Sequence, residues 1–352
     1  MIPVFDGHND LLYRLLVDPD HRETIFLTGE GKGHLDLPRM RAAGFAGGFF
    51  AIYLPSPLRH DDADYQAQME RPPYRLPLPD PIPQAQAIVP ATRLAGHLMW
   101  MERASAGAFR LCRSAAEIRA AMEAGAVAAI MHMEGAEAID DGLDMLHLFH
   151  AVGLRSLGPV WSRPTAFGHG VPFAFPSGPD TGPGLTEAGK RLVRECNALK
   201  IMLDLSHLNE AGFDDVARLS DAPLVATHSN AHAVTPSSRN LTDRQLGMIR
   251  DSGGMVGLNF SVSFLREDGR RVEDTGWDPI LRHMDHLLDR LGEDHLGFGS
   301  DYDGCTTPAV IGDVGGLPRL MQALADYGYD APLLRKLAQG NWLRVLERTW
   351  GG

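Results

Sequence analysis

Eight short apolar runs, interleaved with segments of helical period, constrain this chain more than any other feature. They occupy residues 3–8, 45–54, 127–134, 154–160, 201–207, 224–229, 255–260 and 296–301. Most are nearly continuous in apolar character rather than alternating, which is the pattern of parallel strands covered on both faces. Between them lie amphipathic segments such as 84–104, 186–199, 209–219, 242–251 and 278–291. Several open on a capping residue, with Thr186 before Glu187 and Thr242 before Asp243. A strand followed by a helix, eight times over, predicts the α/β class and a (β/α)8 TIM barrel. At 352 residues, 44% of them hydrophobic, the chain has apolar material for one large core. No composition shift marks a boundary, so residues 1–352 read as a single barrel domain.

One stretch breaks the rhythm. Residues 53–84, YLPSPLRHDDADYQAQMERPPYRLPLPDPIPQ, are rich in proline and charge and fit neither period. They predict an inserted loop at about 55–84, lying over the barrel mouth or running out as a solvated excursion. A second irregular stretch, 161–184, follows the fourth strand and is expected to share that rim. The charge balance of 33 basic against 45 acidic residues, a net of -12, argues against a nucleic-acid partner held through phosphates. No run of about 18 apolar residues is present, so no membrane span is expected. Asp6 and Asp10 fall where a secretory signal would need a basic start and an apolar centre. Cys112, Cys196 and Cys305 are far apart and form no CxxC, which excludes a disulfide framework and suggests a cytoplasmic location.

In a barrel of this kind the active site is built at the C-terminal ends of the strands. Here the first run ends in His8, with Asp10 just beyond, the third in Glu134, the fifth in His207, and the eighth in Asp301, while His228 lies at the end of the sixth. Residues i and i+2 of an extended chain share a face, so His8 and Asp10 can reach one ion together. Glu134 has two oxygens with which to span two ions, and His207 and His228 can complete the second. Imidazole and carboxylate without thiolate suit Zn²⁺ with a coordination position left open for water. The pattern predicts a binuclear metal site, two Zn²⁺ per chain, about 3.5–4 Å apart and sharing a hydroxide nucleophile, since metal-bound water drops to a pKa of about 7. Hydrolysis is the natural product of such a site. His132 sits deeper in its strand, in a core or supporting place, and His283 is among the histidines left to packing or surface.

The motifs DGHND (6–10), MEG (133–135), DLSH (204–207), ATHSNAHAV (226–234), RNLTD (239–243) and GSDYDG (299–304) follow one another over nearly the whole chain. This ordered set resembles the membrane dipeptidase, or renal dipeptidase, family of metallopeptidases in the amidohydrolase superfamily. The resemblance implies a zinc dipeptidase acting on small dipeptides, including some with a D-residue at the carboxyl end, and a homodimer. By motif, His8 and Asp10 would bind one zinc, Glu134 would bridge, and His207 and His228 would bind the other. Arg239 would pair with the substrate carboxylate through its planar fork. Asp301 would be the catalytic carboxylate that passes a proton to the leaving amine, or else a structural, metal-tethering one. The secretory leader and lipid-anchor tail of the animal members are not expected here. One position departs from the family. Where its fourth strand ends in a substrate-contacting histidine, this chain reads GPVWS and places Trp161, so a polar donor would come from elsewhere, for example His169. That departure keeps open a lactonase or other amidase on the same barrel. A metal-loaded barrel that binds a ligand without turnover is the reading from outside the enzymes.

Overall fold

A computed structural model describes residues 2–56 and 66–351. Its strands, in chain order, are β1 Val4–Asn9, β2 Phe45–Tyr53, β3 Tyr74–Arg75, β4 Phe109–Leu111, β5 Val127–Glu134, β6 Leu154–Gly158, β7 Ala174–Phe175, β8 Met202–Leu203, β9 Val225–Ala226, β10 Met255–Asn259 and β11 Leu296–Gly299. Eight of these run parallel in the order β8-β6-β5-β2-β1-β11-β10-β9. The remaining gap, between β8 and β9, is bridged by Asp204 beside Val225, with Leu205 N donating to the Val225 carbonyl at 2.8 Å. The result is a nearly closed (β/α)8 barrel. Seven of the eight strands fall within the apolar runs legible in the sequence, and β1 extends one residue past its run, to Asn9.

The ladder is long on one side and short on the other. β2 and β5 stay in register over seven residue pairs from Gly47 with Ala128 to Tyr53 with Glu134. β8 and β9 contribute two residues each. There the side chain of Asp204 supplements the backbone, accepting from Thr227 N at 2.8 Å and from Thr227 Oγ1 at 2.6 Å. Among the outer helices, Gln84–Ala104, Glu187–Leu199, Glu210–Leu219, Asp243–Asp251 and Trp277–Leu291 match the amphipathic segments. The Thr186 side chain caps one, and Thr242 forms a reciprocal capping box with Gln245.

Two features carried no sequence signal. β4 adds to β5 outside the barrel path, and β3 pairs antiparallel with β7, joining the two irregular stretches to each other. These strands are two or three residues long, too short for any periodicity to show. Part of the expected insertion, residues 57–65, lies outside the described residues. Among those described, no helix is long and apolar enough to cross a membrane.

At the end of the barrel away from the strand C-termini, Trp342 is fully buried; its Nε1 donates to the Phe298 carbonyl at 3.0 Å and its ring packs on Phe49. Within the barrel, Gly257 of β10 and Gly299 of β11 both face the Thr227 carbonyl so closely that a Cβ on either would overlap it. The missing side chains are what let these strands approach. Overpacking a filled interior costs about 1–3 kcal/mol, so Gly299→Ala is expected to lower the chemical denaturation midpoint by a matching amount. An unchanged midpoint would mean that the barrel interior yields more than its packing indicates.

Candidate metal centre

The strand ends bring one carboxylate between two groups of donors. Glu134 Oε1 lies 3.1 Å from His207 Nε2 and 3.5 Å from His228 Nε2, and those two nitrogens are 3.1 Å apart. Ligand atoms at about 2.0–2.1 Å from one tetrahedral zinc are themselves roughly 3.3 Å apart, so these three atoms have a spacing that would suit one divalent cation. Glu134 Oε2 turns the other way, 3.6 Å from His8 Nε2, which is 3.5 Å from Asp10 Oδ2. Those contacts are too long to serve as good hydrogen bonds. Both ring nitrogens of His8 and Oδ1 of Asp10 are accordingly buried without a hydrogen-bond partner. Orphaned buried polar atoms are costly, and here they sit beside carboxylates that face one space. His8, Asp10 and Asp301 each offer an atom within 4.8 Å of the others, as do His8, Glu134 and His228. The donor set fits two divalent cations.

The electrostatics carry the same message. Burial pushes Glu134 well above the usual carboxylate range, and its neighbours Asp10 and Asp301 add to the effect. Burial likewise raises Asp301 to about 6, against the opposing pull of His8 and the Asn259 hydrogen bond. Burial alone would depress His8, yet Glu134, Asp10 and Asp301 outweigh it and carry it up to about 10. A proton on His8 thus stands where a cation would. Burial, with Arg239 and His8 nearby, holds His207 and His228 well below the ordinary histidine range, so both present neutral nitrogens fit for ligation.

His207 and His228 are held from behind. His207 Nδ1 faces Ser162 Oγ at 3.0 Å, and His228 Nδ1 faces Thr227 Oγ1 at 2.8 Å, which in turn donates to Asp204. Such outer partners set ring orientation and tautomer. His207 and Asp301 take left-handed backbone conformations, φ 67° and 59°, which non-glycine residues seldom adopt except where the surrounding fold imposes them. Asn259, the last residue of β10, donates from Nδ2 to Asp301 Oδ2 at 2.9 Å. Strand-end ionisation could not reveal it because an amide does not ionise; its signal was a lone polar residue next to the end of an apolar run.

Above the metal donors opens a cavity of about 620 Å³, within the range of about 300–1,000 Å³ usual for small-molecule sites. Trp161 forms part of its wall, with its ring centroid 5.7 Å from His207, 5.6 Å from Phe173 and 5.3 Å from Tyr53. Arg163 supports it from a fully buried position, 5.5 Å from the indole. That guanidinium donates to Glu137 at 2.6 Å, Ser56 Oγ at 2.7 Å and the Leu54 carbonyl at 2.9 Å, binding three loops together. Neither Arg163 nor Glu137 stands out in the sequence. Arg239 is only 3% exposed; it donates to the His228 carbonyl at 3.1 Å, packs 5.3 Å from the Phe264 ring, and keeps its Nε buried without a partner. His169 is not brought to the cavity wall. Its Nδ1 lies 3.2 Å from the Gly184 carbonyl, because the FGHG turn folds back on the 161–184 loop.

His283 anchors the loop that carries Arg239. Its Nδ1 accepts from Ala231 N at 3.1 Å, while Nε2 meets the Leu265 carbonyl and Thr235 Oγ1, each at 3.1 Å.

The family model for membrane dipeptidase, peptidase family M19, matches residues 1–350. A metallo peptidase from Rhodobacter sphaeroides, solved with a phosphinate mimic of the dipeptide L-Ala-D-Ala, is 70% identical and superimposes with a TM-score of 0.98, with 99% of each chain covered. A solved metallo peptidase described as dipeptidase AC is 69% identical with a TM-score of 0.98, covering 100% of this chain and 99% of its own. An uncharacterized protein in the pqqA 5′ region of Klebsiella pneumoniae is 54% identical over 247 residues, 70% of this chain and 91% of that relative.

Removing one member of a buried ion pair strands the other, at roughly 3–5 kcal/mol, so Glu137→Ala is expected to destabilise the fold by that amount in denaturant titrations. A loss no larger than that of an exposed pair would mean that Arg163 finds other partners. The pH dependence of stability has a defined sign at His283. Burial depresses it from 6.5 to about 3, and protonation would set an Nδ1–H against the Ala231 N–H. Its contribution is therefore complete above 6.5 and is lost as pH falls from there toward 3. The wild type should lose stability relative to His283→Gln across that window, by at most about 1.4 kcal/mol per pH unit. Parallel curves for the two proteins would refute the assignment.

Proposed function

The chain belongs to the membrane dipeptidase family of metallopeptidases, peptidase family M19, and from that premise we propose that it hydrolyses small dipeptides, including L-Xaa-D-Xaa pairs, using two zinc ions. The observation that carries the proposal is the division of Glu134, one oxygen toward His207 and His228 and the other toward His8 and Asp10. Those five residues would hold the metal. Zinc in such a setting supplies a Lewis acid for the scissile carbonyl and a water acidic enough to react near neutral pH.

The chain's own residues supply the rest. Asn259 occupies one oxygen of Asp301, leaving the other to take a proton from the attacking water and return it to the departing amine. Arg239, not itself in the lining but packed against the lining residue Phe264, would receive the dipeptide's terminal carboxylate, for which its unpartnered Nε and fork geometry are suited. Tyr53, Trp161, Phe173 and Phe264 wall the cavity with aromatic surface, which excludes water and seats the substrate side chains. A D-residue at the carboxyl end is supported by the L-Ala-D-Ala mimic bound to the Rhodobacter sphaeroides relative. Three free cysteines accord with a cytoplasmic protein, and the family resemblance with a homodimer.

Elemental analysis is expected to find two zinc ions per chain. Chelation should abolish turnover of L-Ala-D-Ala, and added zinc should restore it. Loss of a proton-transfer group typically costs 10²–10⁴-fold, so Asp301→Asn should lower kcat by about that factor while keeping its metal. Full turnover in the stripped protein would refute the proposal, and a preference for lactones over dipeptides would shift it to a lactonase.

A further inference from the structure

We propose that Arg271 makes this cavity selective for dipeptides bearing an acidic side chain. The inference deepens the dipeptidase reading and rests on it. Arg271 lines the same cavity as Asp10, Glu134, His207 and Asp301, and among the described residues of that lining it is the one lysine or arginine.

Its backbone is fixed while its charge is left over. Arg271 N donates to the Met69 carbonyl at 2.9 Å, Arg270 Nε to the Glu70 carbonyl at 3.0 Å, and Tyr74 Oη to the Gly269 carbonyl at 2.9 Å. The segment is thereby stitched to the insertion after β2. Nearby, Arg266 pairs with Asp268 at 2.6 Å. Among the described residues the Arg271 side chain has neither a hydrogen bond nor an ion pair.

The carboxylates that share the cavity have other roles. Asp303 accepts from His34 N at 2.6 Å and pairs with Arg14 at 3.2 Å. Asp301 is held by Asn259, and Asp10 and Glu134 belong to the metal donors. A half-buried guanidinium with no counter-charge among the described residues, opening on a substrate cavity, is poised for an anion from the ligand. Every dipeptide has one terminal carboxylate, which the proposed mechanism gives to Arg239. What remains for Arg271 is a second carboxylate, on an aspartyl or glutamyl side chain.

The test compares kcat/KM of the zinc-loaded enzyme on L-Ala-D-Ala and on alanyl dipeptides with Asp or Glu at either position, in the wild type, Arg271→Met and Arg271→Lys. Loss of a charge-assisted contact corresponds to about 10- to 100-fold, which Arg271→Met should show on the acidic dipeptides through KM, with Ala-Ala within about threefold of wild type. Arg271→Lys should recover part of the loss. Calorimetric binding of phosphinate mimics of Ala-Ala and Ala-Glu should show the same difference without turnover. An equal loss on neutral and acidic substrates would make Arg271 the reader of the common carboxylate, and no loss on either would leave it without a substrate role; both overturn the proposal. Failure of all dipeptides and both mimics in the wild type would remove the peptidase reading, and this inference with it.

Discussion

The structure turns on the carboxylate of Glu134, which must face two donor groups at once. Its place is set by strand register. β5 is paired along its length with β2, up to Tyr53 opposite Glu134, and with β6, where Glu134 lies opposite Gly158. A slip of one residue would send the carboxylate to the outer face of the barrel. The imidazoles of His8, near the end of β1, and of His207 and His228, just beyond β8 and β9, converge on it from distant parts of the sequence. Buried together, these groups are unfavourable on their own, with raised carboxylates and unpartnered nitrogens. A bound cation would relieve that strain, which would couple metal affinity to the stability of the barrel mouth.

The shortest part of the barrel ladder and the orientation of His228 depend on the same contacts. Where β8 and β9 are too short to zip together by backbone alone, Asp204 takes both the amide and the hydroxyl of Thr227, and that hydroxyl faces His228 Nδ1. Asp6 plays a similar part on the other side, accepting from Ser300 N at 2.7 Å and Ser300 Oγ at 2.8 Å one residue before Asp301. Higher up, Arg163 binds the ends of β2 and the loops after β5 and β6, and so fixes the Trp161 wall. Closure of the fold and preorganisation of the site are thus the work of the same buried side chains.

Much of this was legible in the sequence, for reasons specific to each element. β1, β5 and β11 announce themselves as apolar runs because a parallel strand is buried on both faces. The helices Glu187–Leu199 and Asp243–Asp251 do so through their caps and period. His8, Asp10, Glu134, His207 and His228 are conspicuous as ionisable groups at or next to the ends of such runs. β3, β4 and β7 were invisible, since runs of two or three residues show no period, and their partners are set by where the loops return. His169 shows the limit of reading by residue type: a histidine near the rim turned instead to a carbonyl of its own loop.

By itself, then, the sequence determined the barrel, the family and the chemical character of the donors, because periodicity and residue type are written in near neighbours along the chain. Tertiary structure alone decided which atoms meet. The opposite outlook of the two Glu134 oxygens, the grip of Asn259 on Asp301, the burial of Arg239 and the place of Arg271 in the same cavity lining as Glu134 join residues separated by tens to hundreds of positions. Such contacts exist only once the sheet has curled and nearly closed, since it is the common axis, not the chain, that makes those residues neighbours.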